Sequence, residues 1–188
     1  KHYAIESFER YEADATTVSP YMGLESIMPF LENRNNGIYV LCKTSNTGSD
    51  VIQNVLVSKD PKKKSVLPLY EHIAEIFVES DVSNQIGLVV GGNCLDELQT
   101  IHRRFPSTPL LLPGVGSQGG KVEEVTSIID NYDESSESEN SLEKHNNNLV
   151  NVSRSVIYAS NEKDWKEAAR KKARAFNLNL GSGIKNQG

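Results

Sequence analysis

The chain has 188 residues, 37% apolar and 24% charged, with a formal net charge of −5. That length allows one domain with a sizeable core. The acidic balance and the lack of any apolar run near ~20 residues exclude broad nucleic-acid or membrane binding, which need a basic face or a long apolar span, but leave room for a small anion held by one or two cations.

The opening "KHYAIESFER" reads as a helix already under way, with Ile5 and Phe8 three apart, and suggests a fragment. "DATTV" (14–18) is the first strand and "GLESIMPFLE" the helix after it. "GIYVLCK" (37–43) is the second strand. It ends in the polar stretch Lys43, Thr44, Ser45, Asn46 and Ser49, which at the C-terminal end of a barrel strand reads as ligand contacts, the simpler reading being a capping turn for the next helix. "SKDPKKKS" is a solvated basic loop. "LPLYEHIAEIFVES" follows as a helix with Leu69, Ile73, Ile76 and Phe77 on its apolar face. "IGLVVGG" (86–92) is the third strand, and "CLDELQTIHRRF" its helix, presenting Leu95, Leu98, Ile101 and Phe105. "PLLLPGV" (109–115) and "KVEEVTSIIDNY" form the fourth pair, "LVNVSRS" (149–155) and "DWKEAARKKARAFNL" the fifth.

Most of these strands are Val/Ile/Leu-rich without polar alternation, as in a parallel sheet covered on both faces. Between the fourth helix and the fifth strand, "DESSESENSLEKHNNN" (133–148) is acidic and low in complexity and cannot bury a core. The chain thus reads as one α/β domain over 1–180 with an insertion at 133–148 and a flexible tail at 181–188. A (β/α)8 barrel takes about 250 residues, so five of its units take about 156. The C-terminal five units of a barrel (strands 4–8) fit that length, and so does a five-stranded doubly wound sheet.

"PGVGSQGG" (113–120) packs four glycines into seven residues after the fourth strand, and Gly114, Gly116 and Gly119 spell G-x-G-x-x-G. A dinucleotide fingerprint of that form opens the first βα turn of its domain, whereas this one follows the fourth strand. Many barrels instead hold a phosphate between the loops after strands seven and eight. There glycines let backbone N–H groups approach oxygen closely, Gln118 offers an amide donor, and Arg154 offers a planar fork for a dianion. The simpler readings are a solvated loop residue for Gln118 and a surface ion pair for Arg154. The two cysteines, Cys42 and Cys94, stand outside any zinc or redox spacing and read as buried, reduced thiols of a cytoplasmic protein. The histidines sit beside no nucleophile and read as ordinary helix or loop residues.

Taken together, "DATTVSPYMGLESIMPFLE", "GIYVLCKTSNTGSD", "LYEHIA", "GLVVGGNCLDEL", "LLLPGVGSQGG" and "NVSRSVIYA" resemble the orotidine 5'-monophosphate decarboxylase family. The resemblance covers nearly the whole chain apart from the insertion and the tail. It implies a (β/α)8 TIM barrel that converts orotidine 5'-monophosphate to UMP without metal or organic cofactor, as a homodimer. It implies that Gln118 and Arg154 grip the 5'-phosphate with backbone help from Ser153, and that Thr44 and Ser45 face the pyrimidine. The loop from Pro113 to about Lys121 would close over the substrate. The family's catalytic Lys/Asp array, including a D-x-K-x-x-D motif, is expected upstream of Lys1, together with the barrel units needed for closure. Ser19, Thr47 and Ser153 depart from the Asn, Pro and Gly common in the family.

Overall fold

The structure is a computed structural model and describes residues 1–59, 62, 65–81, 83–116, 119–130 and 148–181. The expected insertion lies outside the described residues except for Asn148, and the expected tail except for Gly181.

The strands are β1 (Ala15–Val18), β2 (Gly37–Lys43), β3 (Leu56–Ser58), β4 (Val66–Pro68), β5 (Ile86–Val90), β6 (Leu110–Leu112) and β7 (Leu149–Val150). Five of them form one parallel sheet in the order β1-β2-β5-β6-β7. Spatial order follows chain order throughout. A doubly wound sheet reverses direction at a switch point; this one has none, so it is the arc of a barrel. All five residues of β5 are buried, as a strand covered on both faces requires.

The helices are α1 (His2–Ile5), α2 (Leu24–Ile27), α3 (Asp50–Gln53), α4 (Leu69–Glu79), α5 (Leu95–Arg104), α6 (Val122–Asp130), α7 (Arg154–Ile157) and α8 (Trp165–Gly181). Helix α1 runs on into a π-helical turn at Glu6–Arg10, whose Phe8 meets Phe30 edge to face at 6.1 Å. The core joins Ile38, Val40 and Cys42 of β2 to Tyr70, Ala74 and Phe77 of α4, and Leu88, Leu110 and Leu112 to Leu98, Ile101 and Val125. The opposite face of β2 carries Tyr39, whose ring lies over Gly87. A Cβ at Gly87 would come within 2.5 Å of that ring.

Several expectations shift. The buried face of α4 centres on Tyr70, Ala74 and Phe77; Ile73 and Ile76 flank it, and Leu69 lies outside the core cluster. The fifth strand is only Leu149–Val150, so Arg154 opens a short helix rather than ending a strand. Of the two cysteines, Cys42 is buried and its thiol is pushed up to about 12 by burial, whereas Cys94 is half-exposed. The stretch around "SKDPKKKS" is bounded by the antiparallel hairpin β3–β4, which the sequence reading does not foresee: Leu67 and Pro68, expected to open the helix, belong to β4.

The hairpin is pinned to the helical layer by charge. Lys59, just after β3, pairs with buried Glu75 of α4, which also pairs with Arg104 of α5; Arg104 reaches Glu71 as well. Burial alone would raise the Glu75 carboxyl, but the two cations outweigh it and hold it below the usual glutamate range. A lowered folded-state value stabilises the fold above the unfolded value, about 4.3, and is lost as pH falls through the folded one. Glu75→Gln should therefore cost about 1.5 kcal/mol near neutral pH, the low end for charge-assisted bonds because both cations are partly exposed. The difference from the unmutated protein should shrink as the pH falls into the acid range, which urea unfolding at about pH 7 and at a series of lower pH values would measure.

Candidate functional site

In a parallel sheet every strand delivers its C-terminal end to one rim. Here that rim carries the loops after β2, β5, β6 and β7. Backbone bonds stitch them in sequence: Gly91 N–H donates to the Lys43 carbonyl at 2.8 Å, Gly92 N–H to the Pro113 carbonyl at 2.7 Å, and Asn151 N–H to the Leu112 carbonyl at 3.1 Å.

The loop after β2 is held by its own side chains. Thr44 N–H donates to Gln53 Oε1 at 2.9 Å, Gln53 Nε2 donates to Thr44 Oγ1 at 2.9 Å, and Thr44 Oγ1 donates to Asn46 Oδ1 at 2.6 Å. The Thr44 hydroxyl is thus tied to Gln53 and Asn46. Ser45 is half-buried, and its carbonyl accepts from Asn93 Nδ2 at 3.1 Å. Gly91 lies tight beneath it, with a would-be Cβ only 3.0 Å from the Ser45 Cα and amide nitrogen. The expected capping turn and the expected ligand contact therefore coincide in one loop.

Sequence reasoning gives no separate role to Lys43 in that loop. Its side chain is 1% exposed, and its ammonium pairs with Asp50 and, at 3.6 Å, with Glu97. Burial alone would lower the Lys43 pKa; Asp50 first, then Glu97, turn the balance and raise it, so the side chain stays charged.

The glycine loop after β6 folds back on itself. Gly116 N–H donates to the Gly120 carbonyl at 2.7 Å, and Gly119 N–H to the Gly116 carbonyl at 3.1 Å. Gly114, Gly116 and Gly119 adopt φ of 89°, 88° and 97°, a left-handed region that excludes most side chains. Pro113 is half-buried at the loop's start. Gln118 lies outside the described residues, between Gly116 and Gly119.

This loop meets the segment after β7. A Cβ on Gly116 would sit 2.6 Å from Ser155 Oγ and 3.2 Å from Phe176 of α8. Ser155 is the residue after Arg154. Ser153 caps α7, its carbonyl accepting from Val156 and Ile157 N–H, and its hydroxyl donates to Asn151 Oδ1 at 3.3 Å. Arg154 is exposed, and no ion pair or hydrogen bond with another described residue engages its guanidinium. Among the described residues it is therefore not the surface ion pair of its simplest reading.

An arc of parallel strands with its polar and glycine-rich loops gathered on the C-terminal rim defines a segment of a (β/α)8-barrel protein. Comparison with known proteins makes this specific. The model of the "Orotidine 5'-phosphate decarboxylase / HUMPS family" matches residues 1–171, and the chain belongs to that family. It is 43% identical over 175 residues to the orotidine 5'-phosphate decarboxylase of Herpetosiphon aurantiacus, covering 93% of this chain and 58% of that protein. Among solved structures, Leishmania donovani UMP synthase superposes with a TM-score of 0.72 at 30% identity, over 96% of this chain and 36% of that one. Leishmania donovani OMP decarboxylase gives 0.70 at 28% identity, over 96% and 63%. The chain spans little more than half the length of the curated relatives it matches.

Proposed function

We propose that the protein decarboxylates orotidine 5'-monophosphate to UMP, and that this segment supplies the phosphate and pyrimidine contacts. In the reaction the bond from ring C6 to the carboxylate breaks, carbon dioxide leaves, and the electron pair left on C6 takes a proton. Arg154, Gln118 and the backbone at Ser153 hold the 5'-phosphate. Thr44 and Ser45 face the ring, and Pro113 begins the loop that closes over it. The Lys/Asp array that stabilises and protonates the carbanion belongs to barrel units outside residues 1–188, which also complete the ring of strands. The reading rests above all on the contact of the glycine loop with the segment after β7, at Gly116 and Ser155, within a chain of this family.

A homodimer is part of the proposal. Val51, Ile52 and Leu56, close together along α3 and into the hairpin, are 80%, 64% and 62% exposed, and Val66 across the hairpin is also exposed. Apolar side chains so grouped favour burial against another surface. A cytoplasmic location belongs to the same reading. Among the described residues no helix is long and apolar enough to cross a membrane.

Thermal shift with a small nucleotide panel tests the function. UMP should raise the melting temperature well above the effect of ribose 5-phosphate at the same concentration. Equal shifts would favour a barrel enzyme acting on sugar phosphates, which needs no pyrimidine contacts.

A further inference from the structure

Leu41 and Lys43 are two apart in β2, yet Leu41 is 36% exposed and Lys43 only 1%. Simple alternation would put them on one face. The pairing of β2 with β5 slips between these two residues, and the bulge re-aims Lys43. Its ammonium then bridges three elements. It donates to Ser49 Oγ at 3.3 Å, pairs with Asp50 at the start of α3, and lies 3.6 Å from Glu97 in the first turn of α5. A buried cation that loses its counter-charges is strongly destabilising, so this geometry is tightly specified.

Thr44 and Ser45 lie inside the segment that Lys43 closes. They are also held from the side of α5, where Asn93 bonds the Ser45 carbonyl and Cys94 Sγ lies 3.7 Å from the Thr44 carbonyl. Asn93, Cys94 and Glu97 belong to one short stretch. The lysine therefore fixes both walls of the turn, one through Asp50 and one through Glu97.

We propose that Lys43 is the positioning residue for pyrimidine recognition: it holds Thr44 and Ser45 where they meet the ring, without touching the nucleotide itself. This rests on the proposed pyrimidine-facing role of those two residues. The phosphate loops hang from other strands, β6 and β7, and join the β5 loop through backbone bonds such as Gly92 N–H to the Pro113 carbonyl rather than through Lys43, so they should feel its loss far less.

Calorimetric titration of the full-length protein with UMP and with ribose 5-phosphate tests this. Lys43→Met should weaken UMP about tenfold while ribose 5-phosphate binding holds, and Lys43→Arg, which still donates to both carboxylates, should recover most of the difference. Equal losses for both ligands, or an unchanged preference for UMP, would overturn the assignment. Should Lys43→Met fail to fold, Asp50→Asn replaces it, because Asp50 is largely exposed. Its preference for UMP should fall in the same direction, and an unaltered preference would equally overturn the idea. If the unmutated protein itself shows no preference for UMP, the pyrimidine reading fails and takes this inference with it.

Discussion

Arg154→Ala in the full-length protein should lower kcat/KM for orotidine 5'-monophosphate by several powers of ten and leave the slow turnover of orotidine, which has no phosphate, unchanged. A charge-assisted hydrogen bond contributes about 1.5–3 kcal/mol, and a guanidinium can make two such bonds to one phosphate, so about 3–6 kcal/mol is at stake. Binding energy from a remote, unreactive group is used to order the site and close its loops, so the loss should reach kcat as well as KM. The side chain is exposed and engages no described residue, so its removal should leave the fold intact. Steady-state kinetics on both substrates decides the matter. Equal losses on nucleotide and nucleoside would make the arginine structural.

Gly120→Ala should be the most damaging small substitution in the glycine loop. Its Cβ would lie 2.7 Å from the Gly92 carbonyl oxygen, 2.8 Å from the Gly92 carbonyl carbon and 3.0 Å from the Gly114 oxygen. All three are backbone atoms, so no side chain can swing away. Overpacking of this kind costs typically about 1–3 kcal/mol. Part of the relief would come from prising the loop after β6 away from β5, so UMP affinity should fall together with stability. Gly119→Ala is the natural control. Its φ of 97° is strained for alanine, but nothing lies within 4 Å of the new methyl group. Urea midpoints and UMP titrations should rank Gly120→Ala well below Gly119→Ala in both respects. The reverse order would mean that backbone strain, not the close approach of strands, governs the loop.

Much of the fold is legible in the chain because parallel strands announce themselves. An unbroken apolar run such as Ile86–Val90 offers no polar face to water, so it must be covered on both sides. The helix after β5 is equally plain, since Leu98 and Ile101 recur at helical spacing and both end in the core. The hairpin is not legible. Each of its strands has three residues, and Leu56 and Val66 point to solvent, so no burial pattern marks them. The face of α4 is only partly placed for a related reason: Phe77 is buried as expected, but Ala74 and Tyr70 join it in the core while Ile73 and Ile76 only flank it, and apolar spacing alone favours the larger aliphatic residues.

The sequence by itself determined the alternation of strand and helix, the family, and the glycine-rich loop after the fourth strand. These follow from local preference and periodicity, which every short window carries. Only the tertiary structure decided that the strands lie in chain order as an arc, that the glycine loop touches the segment beginning at Ser153, and that Lys43 is buried between Asp50 and Glu97. Those facts depend on how far apart in space residues distant in sequence come to rest, and on a one-residue slip in strand pairing that no local pattern encodes.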